Sequence, residues 1–457
     1  MTVADAPLML SVSGMRGYVG QSLTPTVVAR YAASFGSWLK QSLDQDVVPH
    51  VVVGRDSRPS GEMFENAAVS GLTSVGCKVT RIGIASTPGV AIMGRHLSAN
   101  GGVVITASHN PIIWNGFKAL RHDGVAPPPD QANLIIQRFQ NDDLDYVGVE
   151  EIQPTSSNDS AAQVHVDMVL PHVDVDLIKS ANLHAVVDSV HGAGGVEAKL
   201  LLDALGVKVT HLFAEPTGQF PHTPEPLKEN LIELADAVKA HSADIGFAQD
   251  PDADRLALVD NNGEYIGEEY TLALCAKHLL GKGDTAAANL STSRMIDDIA
   301  EAVGATVVRT AVGEANVAAA MQENNSVVGG EGNGGIIFSP VIHVRDSLVG
   351  MAILCEMLAK RKCKLDTIVA EIPSYSIIKD KVNLEPGMGD KIRPTMESVF
   401  SDQKIDTQDG VRVDWDNKWV HVRTSNTEPI MRIIAEAATE AEARDLINQV
   451  RQALGLS

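Results

Sequence analysis

Short apolar runs, each closed by a polar turn, recur along the chain and set its first reading. "HVVVGRDSR" (50–58), "LHAVVDSVHG" (183–192) and "TAAANLSTSR" (285–294) each place a β-rich run ahead of a turn. Downstream of each, a helical stretch closes on "SVGCKV" (74–79), "ALGVKV" (204–209) or "AVGATV" (302–307). The glycine stands where a helix C-cap belongs, and an apolar strand follows it. Strand, polar turn, helix, glycine, strand is the order of a βαβ unit. Three copies roughly a hundred residues apart predict three similar α/β domains.

The C-terminal stretch follows another pattern. "VRVDWDNKWVHVRTSNTEP" (411–429) predicts two strands turning at Asp416-Asn417, and "TEAEARDLINQVRQAL" (439–454) predicts a helix. The expected organisation is therefore α/β, with three similar mixed-sheet domains over 1–155, 156–258 and 259–371, and an α+β domain over 372–457. The polar segment "EEIQPTSSNDSAA" (150–162) marks the first boundary most strongly.

A chain of 457 residues exceeds one compact core, which agrees with several domains. The net charge of −21 argues against nucleic acid as a partner. An anionic substrate would need local Arg and Lys clusters to overcome that field. The N-terminal residues lack the basic region of a secretory signal, and no apolar run reaches the length of a membrane span. Cys77, Cys275, Cys355 and Cys363 are scattered without a C-x-x-C pair and read as reduced thiols. The expectation is a cytoplasmic protein with no membrane partner.

Four stretches carry candidate chemistry. In "VVITASHNP" (103–111), Ser108 follows an apolar strand, at the carboxyl end where α/β folds present reactive groups. His109 and Asn110 add hydrogen-bonding groups, but adjacent residues point apart and no G-x-S-x-G elbow is present, which weighs against a Ser/His hydrolase. In "QDPDADR" (249–255), Asp250, Asp252 and Asp254 alternate, so extended backbone puts all three carboxylates on one face. Such a group repels itself unless a cation sits within it, and hard oxygen ligands suit Mg²⁺. An EF-hand does not fit, because Arg255 holds the turn position and Asn261 the twelfth.

"GGEGNGGIIFSP" (329–340) is a glycine-rich loop in which Glu331 and Asn333 suit sugar hydroxyls. "RTSNTEP" (423–429) with Arg432 offers Arg423, Ser425, Asn426 and Thr427 as donors for a phosphate dianion. Alone, the serine loop reads as a polar cap on the next helix. The glycine loop alone reads as a turn, and the last stretch as an ordinary β-turn.

Together and in this order, the four stretches resemble those of the α-D-phosphohexomutases: phosphoglucomutase, phosphomannomutase and phosphoglucosamine mutase. "SVSGMRG" (11–17), "NGFK" (115–118), "DSVHGAGG" (188–195) and "FPHTPEPLKENL" (220–231) are similar to further family segments, so the resemblance covers nearly the whole chain. It implies a heart-shaped four-domain enzyme in which Ser108 is a phosphoserine and transfers its phosphoryl group to a hexose phosphate. A bound hexose 1,6-bisphosphate would reorient and return the other phosphate. Mg²⁺, one per chain, would sit on Ser108, Asp250, Asp252 and Asp254.

By the same resemblance Arg16, Lys118 and His109 assist catalysis. Arg255, Glu331, Asn333, Arg423, Ser425, Asn426, Thr427 and Arg432 hold the substrate, and the chain is a monomer or homodimer. "GEGNGG" followed by "RDSLVG" at Arg345 is most similar to phosphoglucosamine mutases; glucose or mannose phosphates are the alternative substrates. A phosphoserine-forming phosphatase and a sugar-phosphate sensor are alternatives from other classes. The chain departs from the family where many members end the sugar loop in Ser-Gly-His. Here Asn333, Gly334 and Gly335 stand, and His343 is the next histidine.

Overall fold

The computed structural model describes residues 7–384, 387–424 and 430–456. Within them the sequence repeat becomes a topological one. In the first sheet, His50–Arg55 lies between Lys78–Ile84 and Gly101–Ile105, parallel to both, and Trp114–Arg121 returns antiparallel beside the latter. The second sheet places His184–Asp188 between Lys208–Leu212 and Ile245–Gln249, with Leu256–Val259 returning. The third places Thr285–Asn289 between Thr306–Thr310 and Val328–Glu331, with Gly335–Phe338 returning. Only the first is extended, by Met9–Ser11, Gly14–Tyr18 and Thr155–Ser157.

The predicted glycine caps explain why each helix stops where it does. Gly76, Gly206 and Gly304 adopt φ of 86°, 68° and 74°, the left-handed region where a Cβ is unfavourable. Each reverses the chain into the next parallel strand. The strands His184–Asp188 and Gly101–Ile105 are buried at every residue, as expected of parallel strands covered on both faces.

Alternation along "VVV" divides the core. Val52 packs in a cluster that continues through Val90, Val187, Leu201 and Leu354, and so joins all three α/β units. Val51 and Val53 face the other way, against Phe35 and Phe117. One apolar interior shared by three sheets fixes their mutual placement.

A polar contact reinforces that junction. His165, fully buried on the helix Ala161–Val169, sets Nε2 2.8 Å from Asp346 Oδ2 and Nδ1 3.4 Å from Glu197 Oε2. Asp346 caps the helix Ser347–Arg361 by accepting from the Leu348 and Val349 N–H groups. Glu197 reaches the first unit by accepting from the Ser86 N–H at 3.4 Å.

The C-terminal unit is a five-stranded antiparallel sheet covered by Glu440–Ala453, whose capping box pairs Thr439 with Glu442. The predicted hairpin pairs Val411–Asp414 with Trp419–Thr424. This unit has its own core around Val413, Val422, Ile433 and Leu446. It docks on the third unit through polar contacts: Glu436 Oε1 accepts from the Arg294 N–H at 3.0 Å, and Ser291 Oγ meets His421 Nδ1 at 2.9 Å.

Candidate active site

The same connection carries the candidate chemistry in all three α/β units. It is the turn between the third parallel strand and its antiparallel return: 106–113 in the first unit, 250–255 in the second, 332–334 in the third. The three turns meet. Ser108 Oγ donates to Asp250 Oδ2 at 2.9 Å, bridging the first and second. The Leu256 N–H donates to Gly334 O at 2.9 Å, bridging the second and third.

Ser108 is buried and its φ is +49°, an uncommon conformation for a residue other than glycine. The chain holds it there with a buried ion pair that sequence reading missed. The Arg58 guanidinium lies 3.0 Å from Asp56 Oδ2 and donates to the carbonyls of Ser108, Asn110, Pro111 and Trp114 at 2.6–3.1 Å. Asp56 also accepts from Thr106 Oγ1 at 2.7 Å, and Thr106 Oγ1 accepts from the Ser108 N–H at 2.9 Å. "GRDSR" shows a strand end and a turn in the sequence; only the fold shows that its second arginine spans the serine loop.

Asp250, Asp252 and Asp254 converge, though on a turn and not on the extended backbone that their alternation predicts. All three are fully buried, and one oxygen from each lies within 4.8 Å of the others. Ala253 takes φ of +53° between them, and its carbonyl accepts from Ser347 Oγ at 2.7 Å. Asp252 Oδ2 accepts from Thr87 Oγ1 at 2.6 Å and Lys118 Nζ at 3.4 Å. Asp254 Oδ2 accepts from Lys118 Nζ at 3.2 Å and Arg345 Nη2 at 2.7 Å. The other oxygens, Asp252 Oδ1 and Asp254 Oδ1, are buried and have no hydrogen-bond partner.

Orphaned buried carboxylate oxygens are costly, and a divalent cation bound by oxygen ligands satisfies them. The residues present fit one. It is the one group of three His, Cys, Asp or Glu side chains placed to hold a metal ion among the described residues.

Electrostatics separate the three acids. Burial, then Asp252 and Asp254, push the Asp250 carboxyl well above the usual carboxylate range. Burial also acts to raise Asp254, but Arg345 and Lys118 outweigh it and hold it below that range. Asp250 and Asp254 are thus driven in opposite directions. Burial works to lower the Lys118 pKa, yet Asp254 and Asp252 turn the net direction upward. Burial, reinforced by Arg255 and Arg16, drives His109 well below its ordinary value, so the imidazole is neutral at pH 7. Its Nδ1 lies 3.3 Å from Ser108 Oγ. Arg16 donates to Asn110 Oδ1 at 3.1 Å, and burial lowers its pKa.

The remaining candidates are placed less uniformly. Arg255 is buried, with its backbone N–H on Asp250 Oδ1 at 3.2 Å and its guanidinium 3.8 Å from Glu225. Glu331, expected to offer both oxygens to a sugar, already accepts from Asn289 on Oε1 at 2.8 Å and from Arg345 on Oε2 at 3.0 Å. Asn333 lies beside it, its Oδ1 accepting from the Gly335 N–H at 3.3 Å. Arg423 donates from Nε to Asp409 Oδ2 at 3.0 Å and pairs in register with Arg432. Ser425, Asn426 and Thr427 lie outside the described residues. His343 is half-buried, and burial, reinforced by Arg95, lowers its pKa; Arg345 is the residue that reaches the glycine loop, at Glu331.

Comparison with known proteins agrees with this arrangement. Family-level sequence patterns described as phosphoglucomutase/phosphomannomutase alpha/beta/alpha domains I, II and III match residues 9–145, 163–263 and 267–375, and the C-terminal domain of the same family matches 384–453. A phosphoglucomutase/phosphomannomutase of Thermococcus kodakarensis is 39% identical over 438 residues, 95% of each chain. A protein of Methanopyrus kandleri named as a probable phosphoglucosamine mutase is 37% identical over 442 residues, again 95% of each. The crystal structure of a phosphoglucomutase/phosphomannomutase family protein from Burkholderia thailandensis superposes with a TM-score of 0.85 at 28% identity, covering 98% of both chains.

Proposed function

The chain belongs to the phosphoglucomutase/phosphomannomutase family, and on that premise we propose that it interconverts hexose 6- and 1-phosphates through a phosphoserine at Ser108, with glucosamine phosphate as its preferred sugar. The observation that carries the mechanism is the 2.9 Å contact of Ser108 Oγ with Asp250, inside a buried carboxylate cluster surrounded by Lys118, Arg345, Arg255 and Arg16. A hydrolase triad is not built this way; a phosphoryl carrier is.

Phosphoryl transfer requires positioning and charge neutralisation above all. Mg²⁺ on Asp250, Asp252, Asp254 and the Ser108 oxygen would neutralise the phosphoserine when bound. The sugar hydroxyl forms the new O–P bond as the Ser108 Oγ–P bond breaks, and the hydroxyl proton must leave. In the metal-free site Asp254 and Asp252 favour the protonated form of Lys118, which suits it to stabilise charge. His109 lies 3.3 Å from Ser108 Oγ, with its pKa held low by burial, Arg255 and Arg16. A phosphate dianion beside it would have to raise that pKa before it could accept the proton and return it in the second half-reaction. Arg16 bridges to the loop through Asn110, and its charge there would stabilise the transferring oxygens.

After the first transfer a hexose 1,6-bisphosphate would turn, and its other phosphoryl group would return to Ser108. Arg423, Ser425, Asn426, Thr427 and Arg432 would hold the phosphate that is not reacting, while Arg255, Glu331 and Asn333 contact the sugar. Glucosamine phosphate is preferred on two grounds: the "GEGNGG" loop, and the Methanopyrus kandleri relative's name. Comparing kcat/KM on glucosamine, glucose and mannose 6-phosphates tests the sugar, since specificity is a ratio of those values. Equal or higher values for glucose or mannose overturn it. Ser108→Ala abolishes turnover if the serine carries the phosphoryl group, and full activity in that variant refutes the mechanism.

A further inference from the structure

We infer that Arg345 is a positioning residue for both the cation site and the sugar loop, and that Gly335 is glycine because a side chain there would expel it. Two independent observations meet at this point. The first is the pattern of contacts. Arg345 is buried, and each edge of its guanidinium faces a carboxylate from a different element. Nη2 donates to Asp254 Oδ2 at 2.7 Å, Nη1 donates to Glu331 Oε2 at 3.0 Å, and Nε lies 3.4 Å from Glu314 Oε2. Glu314 also accepts the Arg345 backbone N–H at 2.9 Å, which fixes the root of the side chain.

The second is the space it occupies. A Cβ built on Gly335 would stand 2.1 Å from Arg345 Cδ and 2.9 Å from its Cγ. These are mid-chain atoms, held at both ends by the contacts above, so they cannot swing aside as a free terminus would. Any side chain at 335 and an arginine in this position exclude one another. The position where many family members carry histidine is thus filled here from the other side, by a residue ten positions on.

The consequence follows from the fork geometry of arginine. Arg345 engages Oδ2 of Asp254 and leaves Oδ1, the orphaned oxygen, as the one presented to a cation. The same plane orients Glu331 Oε2, whose other oxygen is fixed by Asn289. One rigid group therefore registers the cation carboxylate against the sugar carboxylate. A lysine has a single point of charge and cannot span both.

The inference rests on the proposed mutase reading only for its kinetic half, so the test has two arms. Four proteins form a cycle: the parent, Gly335→Ala, Arg345→Met and the double variant. Mn²⁺ binding is measured on unphosphorylated protein without sugar, from the EPR signal of the free ion. KM and kcat are measured with glucosamine 6-phosphate.

Each single change is expected to weaken Mn²⁺ about tenfold or more, the usual effect of losing a partner of a metal ligand, and to raise KM more than it lowers kcat. The double variant is expected to be no weaker than the worse single one, because both changes remove the same contact. Singles whose effects multiply in the double variant overturn the shared-space argument. Because Arg345→Met leaves three carboxylates facing one another and can unfold the chain, Arg345→Lys supplies the charge-retaining comparison. It should recover part of the Mn²⁺ affinity and leave KM raised; parent values in both refute the positioning role. A chain without mutase activity would still give a decisive Mn²⁺ cycle.

Discussion

His165→Gln tests whether the junction of the three α/β units depends on a charged imidazole. His165 lies in a fully buried position between Asp346 and Glu197. Burial alone would lower its pKa, but Asp346 and Glu197 raise it to about 10. The span from 6.5 to about 10, at ~1.4 kcal/mol for each pH unit, sets a ceiling of about 5 kcal/mol. Breaking a buried pair by removing one partner costs about 3–5 kcal/mol by direct measurement elsewhere, so the two figures agree.

The sign follows from the raised value. The contribution is complete below the unfolded pKa of 6.5 and is lost as pH rises through about 10. The difference between the parent and His165→Gln should therefore be largest near pH 6.5 and shrink toward pH 10. Urea unfolding followed by far-UV circular dichroism across that range reads it, using the first transition because four units need not melt together. A difference that stays constant from pH 6.5 to 10, or that is absent at pH 7, would refute the charged-junction argument.

Two further outcomes are expected. In metal-free protein the Asp250 carboxyl, raised by burial and by Asp252 and Asp254, costs stability as pH rises above the ordinary carboxylate value. Asp250→Asn should raise the metal-free melting temperature at pH 8 and abolish the upshift on adding Mg²⁺; an upshift like the parent's contradicts the assigned cation site. Arg58→Lys cannot serve the carbonyls of Ser108, Asn110, Pro111 and Trp114 together. It should lower stability by about 2–4 kcal/mol and kcat by about tenfold with little change in KM, read by thermal melting and steady-state kinetics. Unchanged kcat would show that the serine loop holds its conformation without Arg58.

What could be read from the chain alone divides by sequence distance. The βαβ order, the helix-ending glycines and the Asp250–Asp254 alternation are local patterns, and a local pattern fixes backbone conformation and side-chain face without knowledge of the rest. The carboxylates are therefore legible as a cluster, though not as one set on a turn. Arg58, Arg345, Glu314 and His165 are not, because each acts on residues far along the chain, such as His165 on Asp346. Glu197 follows "DSVHGAGG" as an ordinary helix residue, and only the fold shows that it faces His165. Glu331 was legible as an acid in a glycine loop, but not as one already engaged by Asn289 and Arg345. Nothing in residues 329–335 announces an arginine arriving from 345.

The repeated return turn has a consequence for how such a site can change. Serine, carboxylates and sugar loop occupy equivalent corners of three copies of one topology, so each corner can vary in length or composition without altering the strands of the other two. On the proposed function, sugar preference would drift through Asn333, since Gly332 and Gly334 have no room for a Cβ, while the serine corner at 106–113 stays as it is. The limits on that independence are the hydrogen bonds between corners, Ser108 to Asp250 and Leu256 to Gly334, and the guanidinium of Arg345, which ties the glycine loop to the carboxylate corner. In this chain, substitutions that redirect substrate choice are then expected to arise in pairs, one on the loop and one at position 345.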